Sequence, residues 1–183
     1  ADGVLPPSVI GTPASHPLSE DLLNLAAAML RVNYDGLQFI MAEPQRSLPF
    51  VLQKYRELDT HSSGRDPAVS LAYAHVLALL GDATGEGELT DWVFKNSWDA
   101  KWDEGLDAGV NRMSAYILAL GRIRSKRAVP AIGARIAELA ALKYVRPEYC
   151  RVIALSASLI GDPALAPALK TLLQAPGVSG HAI

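Results

Sequence analysis

Gly81, Gly121 and Gly161 stand 40 residues apart, and the apolar positions before them keep step. Tyr73, Met113 and Ile153 correspond, as do Leu77, Ile117 and Ala157, and then Leu80, Leu120 and Ile160. Within each copy these positions fall three or four residues apart, which puts them on one face of a helix. A second segment recurs behind the first. RSLPFVLQKYREL (46–58) superposes on RAVPAIGARIAEL (127–139), with Arg, Pro, Glu and Leu matched, and LAPALKTLLQA (165–175) follows the same plan. In the middle copy Met113, Tyr116, Ile117 and Leu120 line the first helix, and Val129, Ile132, Ile136 and Leu139 line the second. Gly121 is expected to close the first helix in a left-handed turn, and Pro130 suits the first position of the next.

A two-helix unit of about 40 residues cannot bury its apolar face alone and must stack on its neighbours, which is the pattern of HEAT-type repeats. The expected fold class is therefore all-α, a HEAT-like α-solenoid (an α-α superhelix) of about four antiparallel helix pairs. Residues 1–18, with Pro6, Pro7, Pro13 and Pro17, read as an extended lead-in. The repeat domain should run over 19–176, opened by Ser19 as an N-cap with Glu20 and Asp21 in the first turn. A short helix is expected over 34–43 and another over 48–58, then a loop over 59–65. Asp66-Pro67 and Asp162-Pro163 each read as an N-cap followed by proline at a helix start. Residues 177–183 form a glycine-broken tail.

The bulk numbers narrow the partners. A net charge of −2 disfavours nucleic acid and acidic membrane surfaces as bulk electrostatic partners. No run approaches the roughly 20 apolar residues of a membrane span. Cys150 is the single cysteine, so the chain has no internal disulfide, and it reads as a buried thiol. The opening ADGVLPP carries no signal-peptide pattern and no initiator methionine, as expected of a processed chain or a piece of a longer one. A soluble protein is expected, with a periplasmic or secreted location after processing left open.

The repeat pattern breaks between its first and second clear copies. Residues 96–110 are longer than an ordinary helix–helix connection, and 82–110 hold all three tryptophans. Trp98, Asp99, Trp102, Asp103 and Glu104 form a candidate binding loop, because flat rings beside acceptors suit sugars and other polyhydroxylated ligands. The competing reading is packing, with the rings filling the gap between repeats or docking on a neighbouring domain. Charge is also uneven: residues 82–110 carry eight acids against two bases, and 111–151 carry nine bases against two acids. Arg122, Arg124, Lys126 and Arg127 form a candidate basic patch of the kind that can grip a DNA backbone, or simply a solvated turn. His16, His61, His75 and His181 lack metal-ligand spacing, and His75 is expected to be partly exposed or locally hydrogen-bonded. No catalytic, cofactor-binding or metal-ligating set stands out.

Two stretches, WDEGLDAGVNRMSAYILALGRIRSKRAVPAI and GDPALAPALKTLLQAPGVSGHAI, carry a family resemblance. A Trp-Asp-Glu-Gly segment precedes an ALGR helix end, then come a Gly-Asp-Pro helix start and a closing Pro-Gly-x-Ser-Gly-His-Ala. In this the chain resembles the helical C-terminal region of a family of bacterial FAD-dependent oxidoreductases. The resemblance implies an accessory domain of a larger enzyme whose flavin-binding part lies elsewhere. It carries no flavin contact or catalytic residue onto this chain, so no cofactor is expected here. The expected partner is then a protein or a neighbouring domain of the same polypeptide. Rival readings are a free-standing protein-binding scaffold, a carbohydrate-binding module using the tryptophan loop, and a helical-repeat DNA-backbone binder.

Overall fold

The computed structural model describes residues 35–58, 66–98 and 112–179. The expected lead-in, the helix opened by Ser19, the loop over 59–65 and most of the 96–110 connection lie outside the described residues. Among the described residues the chain is helical and has no strand. The helices are α1 (Asp35–Ala42), α2 (Pro44–Glu57), α3 (Pro67–Leu79), α4 (Glu86–Lys95), α5 (Arg112–Arg122), α6 (Val129–Ala140), α7 (Pro147–Ile160), α8 (Ala166–Leu173) and the single turn α9 (Pro176–Ser179), with a 3₁₀ turn at Pro163–Leu165 before α8.

Local chemistry sets most of the boundaries. Asp66 accepts a hydrogen bond from the Ala68 backbone N–H at 2.9 Å, and Asp162 accepts one from Ala164 at 2.9 Å. Both Asp-Pro pairs therefore act as the sequence suggests, although the second opens a 3₁₀ turn and not an α-helix. The short helix expected over 48–58 begins earlier, at Pro44, and carries Pro49 in its interior. Ser47, fully buried, supports that early start by donating to the Ile40 carbonyl at 2.6 Å. The expected tail is partly ordered into α9, which turns back onto α6 and α8.

Gly81 and Gly161 have φ of +88° and +61° and serve as the left-handed residues after α3 and α7. Gly121 does not. It is buried inside α5, and the left-handed position falls three residues later on Arg124, at φ 53°. The hydrogen bonds show the shift. After α3 the N–H of Gly81 bonds to Ala78 and that of Asp82 to Leu77; after α5 the same pair runs from Arg124 to Gly121 and from Ser125 to Leu120. An arginine in the left-handed region is strained by about 1–2 kcal/mol, while glycine there carries only its extra unfolded-state entropy. Arg124→Gly is accordingly expected to stabilise the protein by about 0.5–1 kcal/mol. A lowered urea midpoint for that variant would contradict the assignment.

The helices lie in two rows. α5 packs between α3 and α7, and α6 packs between α4 and α8. One core cluster runs through both rows and contains Leu89, Met113, Ile117, Leu120, Ile132, Ile136, Leu139 and Ile153, all fully buried. A smaller cluster of Ile40, Val51, Tyr73, Val76 and Leu77 ties α1 and α2 to α3. Polar bonds also link segments far apart in the chain. Ser156 Oγ donates to the Ile117 carbonyl at 3.0 Å, and Ser125 Oγ donates to the Glu86 carboxylate, each pair 39 residues apart. Glu88 joins α2 to α3 by accepting from Tyr55 at 2.8 Å and from Ser70.

Candidate functional site

Trp98 sits where α4 hands the chain to the 99–111 segment. Its indole is 2% exposed. The ring stacks on Tyr149 of α7 at 4.6 Å and 28°, and its Nε1–H donates to the Arg135 carbonyl at 2.9 Å. Its backbone N–H donates to Glu138 at 3.1 Å, a residue 40 positions on. Arg135 closes the cluster: its Nη1 donates to the Asn96 carbonyl and to Glu138 Oε2, the latter at 2.6 Å. Asn96 is itself held by its side-chain amide, which donates to the Trp92 carbonyl at 2.8 Å. Arg146 stands 6.0 Å from the Tyr149 ring. One face and the polar edge of this indole are thus engaged by the fold. Asp99, Trp102, Asp103 and Glu104 lie outside the described residues.

The basic run divides by role. Lys126 Nζ donates to the Ile160 carbonyl at the end of α7 at 2.8 Å and stands 3.7 Å from Asp162. A cation there also faces the negative end of the α7 dipole. Arg127 lies against Gly87 near the start of α4. Arg122 and Arg124 are exposed on the same turn. The patch therefore mixes a lysine that ties the α5–α6 turn to the end of α7 with arginines that meet solvent. No sequence signal marked the first, since Lys126 lies 34 residues before its carbonyl partner and not one 40-residue spacing away.

His75 departs from expectation. It is 3% exposed, buried on α3 with its ring edge-on to Tyr116 at 5.1 Å; Tyr116 in turn meets Trp92 edge-on at 5.0 Å, and Arg112 lies over Trp92 at 5.8 Å. Loss of hydration lowers its pKa from 6.5 to about 4. The unfolded chain then binds a proton below pH 6.5 that the folded chain refuses until about pH 4. Stability should consequently fall as pH drops through that window, by about 3 kcal/mol from this group. Urea melts at pH 7 and near pH 4.5 should show the loss, and His75→Leu should flatten it. An unchanged slope in His75→Leu would assign the acid sensitivity elsewhere.

An open apolar groove of about 660 Å³ runs between α7 and α8, lined by Ala157, Gly161, Leu165, Leu169 and Leu172 among others. Cys150 is on its wall, half-buried, with its thiol pKa raised by desolvation. Leu155 at 53%, Leu159 at 37% and Leu173 at 73% stand exposed on the same two helices. Phe94, Leu142 and Tyr144 are also exposed, near the C-terminal ends of α4 and α6.

Among the described residues no group of three His, Cys, Asp or Glu side chains could hold a metal ion, and no helix is long and apolar enough to cross a membrane. The class defined so far is an all-helical protein built in two rows of helices. Comparisons of the chain with protein-family models, curated proteins and solved structures gave no match.

Proposed function

We propose that this chain is a non-catalytic helical-repeat module, a HEAT-like solenoid of four helix pairs (α1/α2, α3/α4, α5/α6 and α7/α8) that docks on or orients a larger enzyme. The observation that carries the reading is the recurrence of polar bonds at nearly one repeat's separation: Ser125 to Glu86, Ser156 to Ile117 and Trp98 to Glu138. Contacts between a residue and its counterpart in the next unit make a quasi-one-dimensional stack, whose long surfaces serve recognition. The C-terminal ends of α4 and α6 favour protein contact. They lie side by side, as Arg135 bonding to Asn96 requires, and carry exposed Phe94, Leu142 and Tyr144. Aromatic side chains concentrate in interface hot spots.

The resemblance to the C-terminal region of bacterial FAD-dependent oxidoreductases supplies the partner class, a flavin domain. In this reading the chain itself holds no flavin, since pyrophosphate binding uses a strand, a glycine-rich turn and a helix N-terminus in succession. The purified chain mixed with FAD is expected to emerge from gel filtration without bound flavin. With the flavin domain of such an oxidoreductase it is expected to co-migrate, and Phe94→Ala with Tyr144→Ala should weaken that association. Stoichiometric flavin retention by the chain alone would overturn the accessory role. The carbohydrate reading now rests on Trp102 and its neighbouring acids, because the Trp98 ring is enclosed. The DNA-backbone reading keeps Arg122, Arg124 and Arg127 but shares Lys126 with the α7 terminus.

A further inference from the structure

On α7, Arg151, Ala154, Leu155, Ser158 and Leu159 form one continuous stripe, exposed along its length and ended by Asp162. Several residues at the same positions on the other helices of that row are buried. Ala115 and Ala119 of α5, at the positions of Leu155 and Leu159, are 7% and 0% exposed, and His75 of α3, at the position of Leu155, is 3% exposed with its ring against Tyr116 of α5. On α7 exposed leucines stand where α5 has buried alanines. Large side chains alternate with small ones along the stripe, Leu155 and Leu159 beside Ala154 and Ser158.

That pattern is complementary to itself in the antiparallel sense. With two copies of α7 related by a two-fold axis near Ser156 and Ala157, Leu155 of each copy lies level with Ser158 of the other. Leu159 then lies level with Ala154, and Arg151 with Asp162 at the negative end of the opposing helix. Knobs meet holes and opposite charges meet, with each pair occurring twice, as an isologous interface requires. The groove beside the stripe and exposed Leu173 on α8 extend the apolar area. We propose that this face joins two copies of the chain through antiparallel α7 helices. The inference is independent of the accessory role, which uses the ends of α4 and α6.

Sedimentation equilibrium over micromolar to submillimolar concentrations should show the mass doubling from 19.5 kDa. Leu155→Glu should weaken association roughly a hundred-fold or more, and because Leu155 is half-exposed its urea midpoint should barely move. Ser158→Leu, which sets leucine against leucine, should also weaken it. The double variant L155S/S158L exchanges knob and hole and should recover dimer formation, an outcome no other register gives. Arg151→Glu should weaken the dimer most at low salt. A monomer at every concentration would overturn the proposal and leave the face to a different protein. A dimer indifferent to Leu155→Glu would overturn it as well, by placing the contact elsewhere.

Discussion

Gly121→Ala is expected to destabilise the protein by about 2–4 kcal/mol, while Gly133→Ala is expected to stabilise it by about 1 kcal/mol. Both glycines are helical, so the same substitution removes the same excess backbone entropy in each case. What differs is the space. A Cβ on Gly133 meets nothing within 4 Å, whereas one on Gly121 would come within 2.8 Å of the Ser156 Cα and 3.0 Å of its side chain. A flexible side chain could yield at that distance, but the backbone of α7 cannot without moving the helix. Moving it would stretch the 3.0 Å bond from Ser156 Oγ to the Ile117 carbonyl, both ends of which are buried. An unsatisfied buried polar group costs about 1–3 kcal/mol, and overpacking adds a comparable amount. Gly121→Val should extend the series to loss of the folded state at ambient temperature. Urea melts of the two alanine variants decide the matter by sign. If Gly121→Ala stabilises like Gly133→Ala, then α5 and α7 are not in close approach.

The same residue marks the limit of what could be read from the sequence. The 40-residue spacing correctly pointed to helices with buried faces, and every apolar residue named from it on α5 and α6 is buried or half-buried. That inference is sound because helical periodicity directly reports which side meets the core. The spacing also placed Gly121 level with Gly81 and Gly161, and there the identity of the residue was misleading. Glycine serves two purposes, as a left-handed residue and as a residue without a side chain, and the alignment cannot distinguish them. α5 runs one turn further than α3, and the strained turn falls on Arg124, a residue type that sequence reasoning would not place there.

His75 illustrates a different loss. Its helix is apolar almost all round, so no single stripe declared which residues face the neighbours. Packing that includes Tyr116 of α5 encloses a residue whose type suggested the surface. For the candidate sites, the tryptophan loop was conspicuous by composition, but the residues that hold Trp98 come from α6 and α7 and share no local signal with it. Only the offset of 40 between Trp98 and Glu138 could have suggested the contact. The bare stripe on α7 had a legible trace too, in Leu155 and Leu159 standing at the places of Ala115 and Ala119. Its meaning depended on knowing that nothing among the described residues packs over it.

Trp98→Ala is expected to cost about 3–5 kcal/mol, the usual range for removing a large aromatic side chain from a core. Three losses combine. The cavity left by the indole opens between α6 and α7, the stacked partner Tyr149 loses one of its faces, and the Arg135 carbonyl loses the Nε1–H donor 2.9 Å away. Arg135 is already under-satisfied, since its Nε is buried with no partner, so the cluster has little reserve. Trp98→Phe separates the contributions: it keeps a ring on Tyr149 and removes the donor, and should cost about 1–2 kcal/mol beyond the volume change. If the indole instead served mainly as a ligand platform, both substitutions would leave stability within about 0.5 kcal/mol of the parent, as surface changes do. Chemical denaturation followed by far-ultraviolet circular dichroism makes the distinction without relying on tryptophan emission. A large loss in the alanine variant with a small one in the phenylalanine variant would identify Trp98 as the bolt that holds the end of α4 to α6 and α7. Equal and negligible losses would return it to the candidate binding loop.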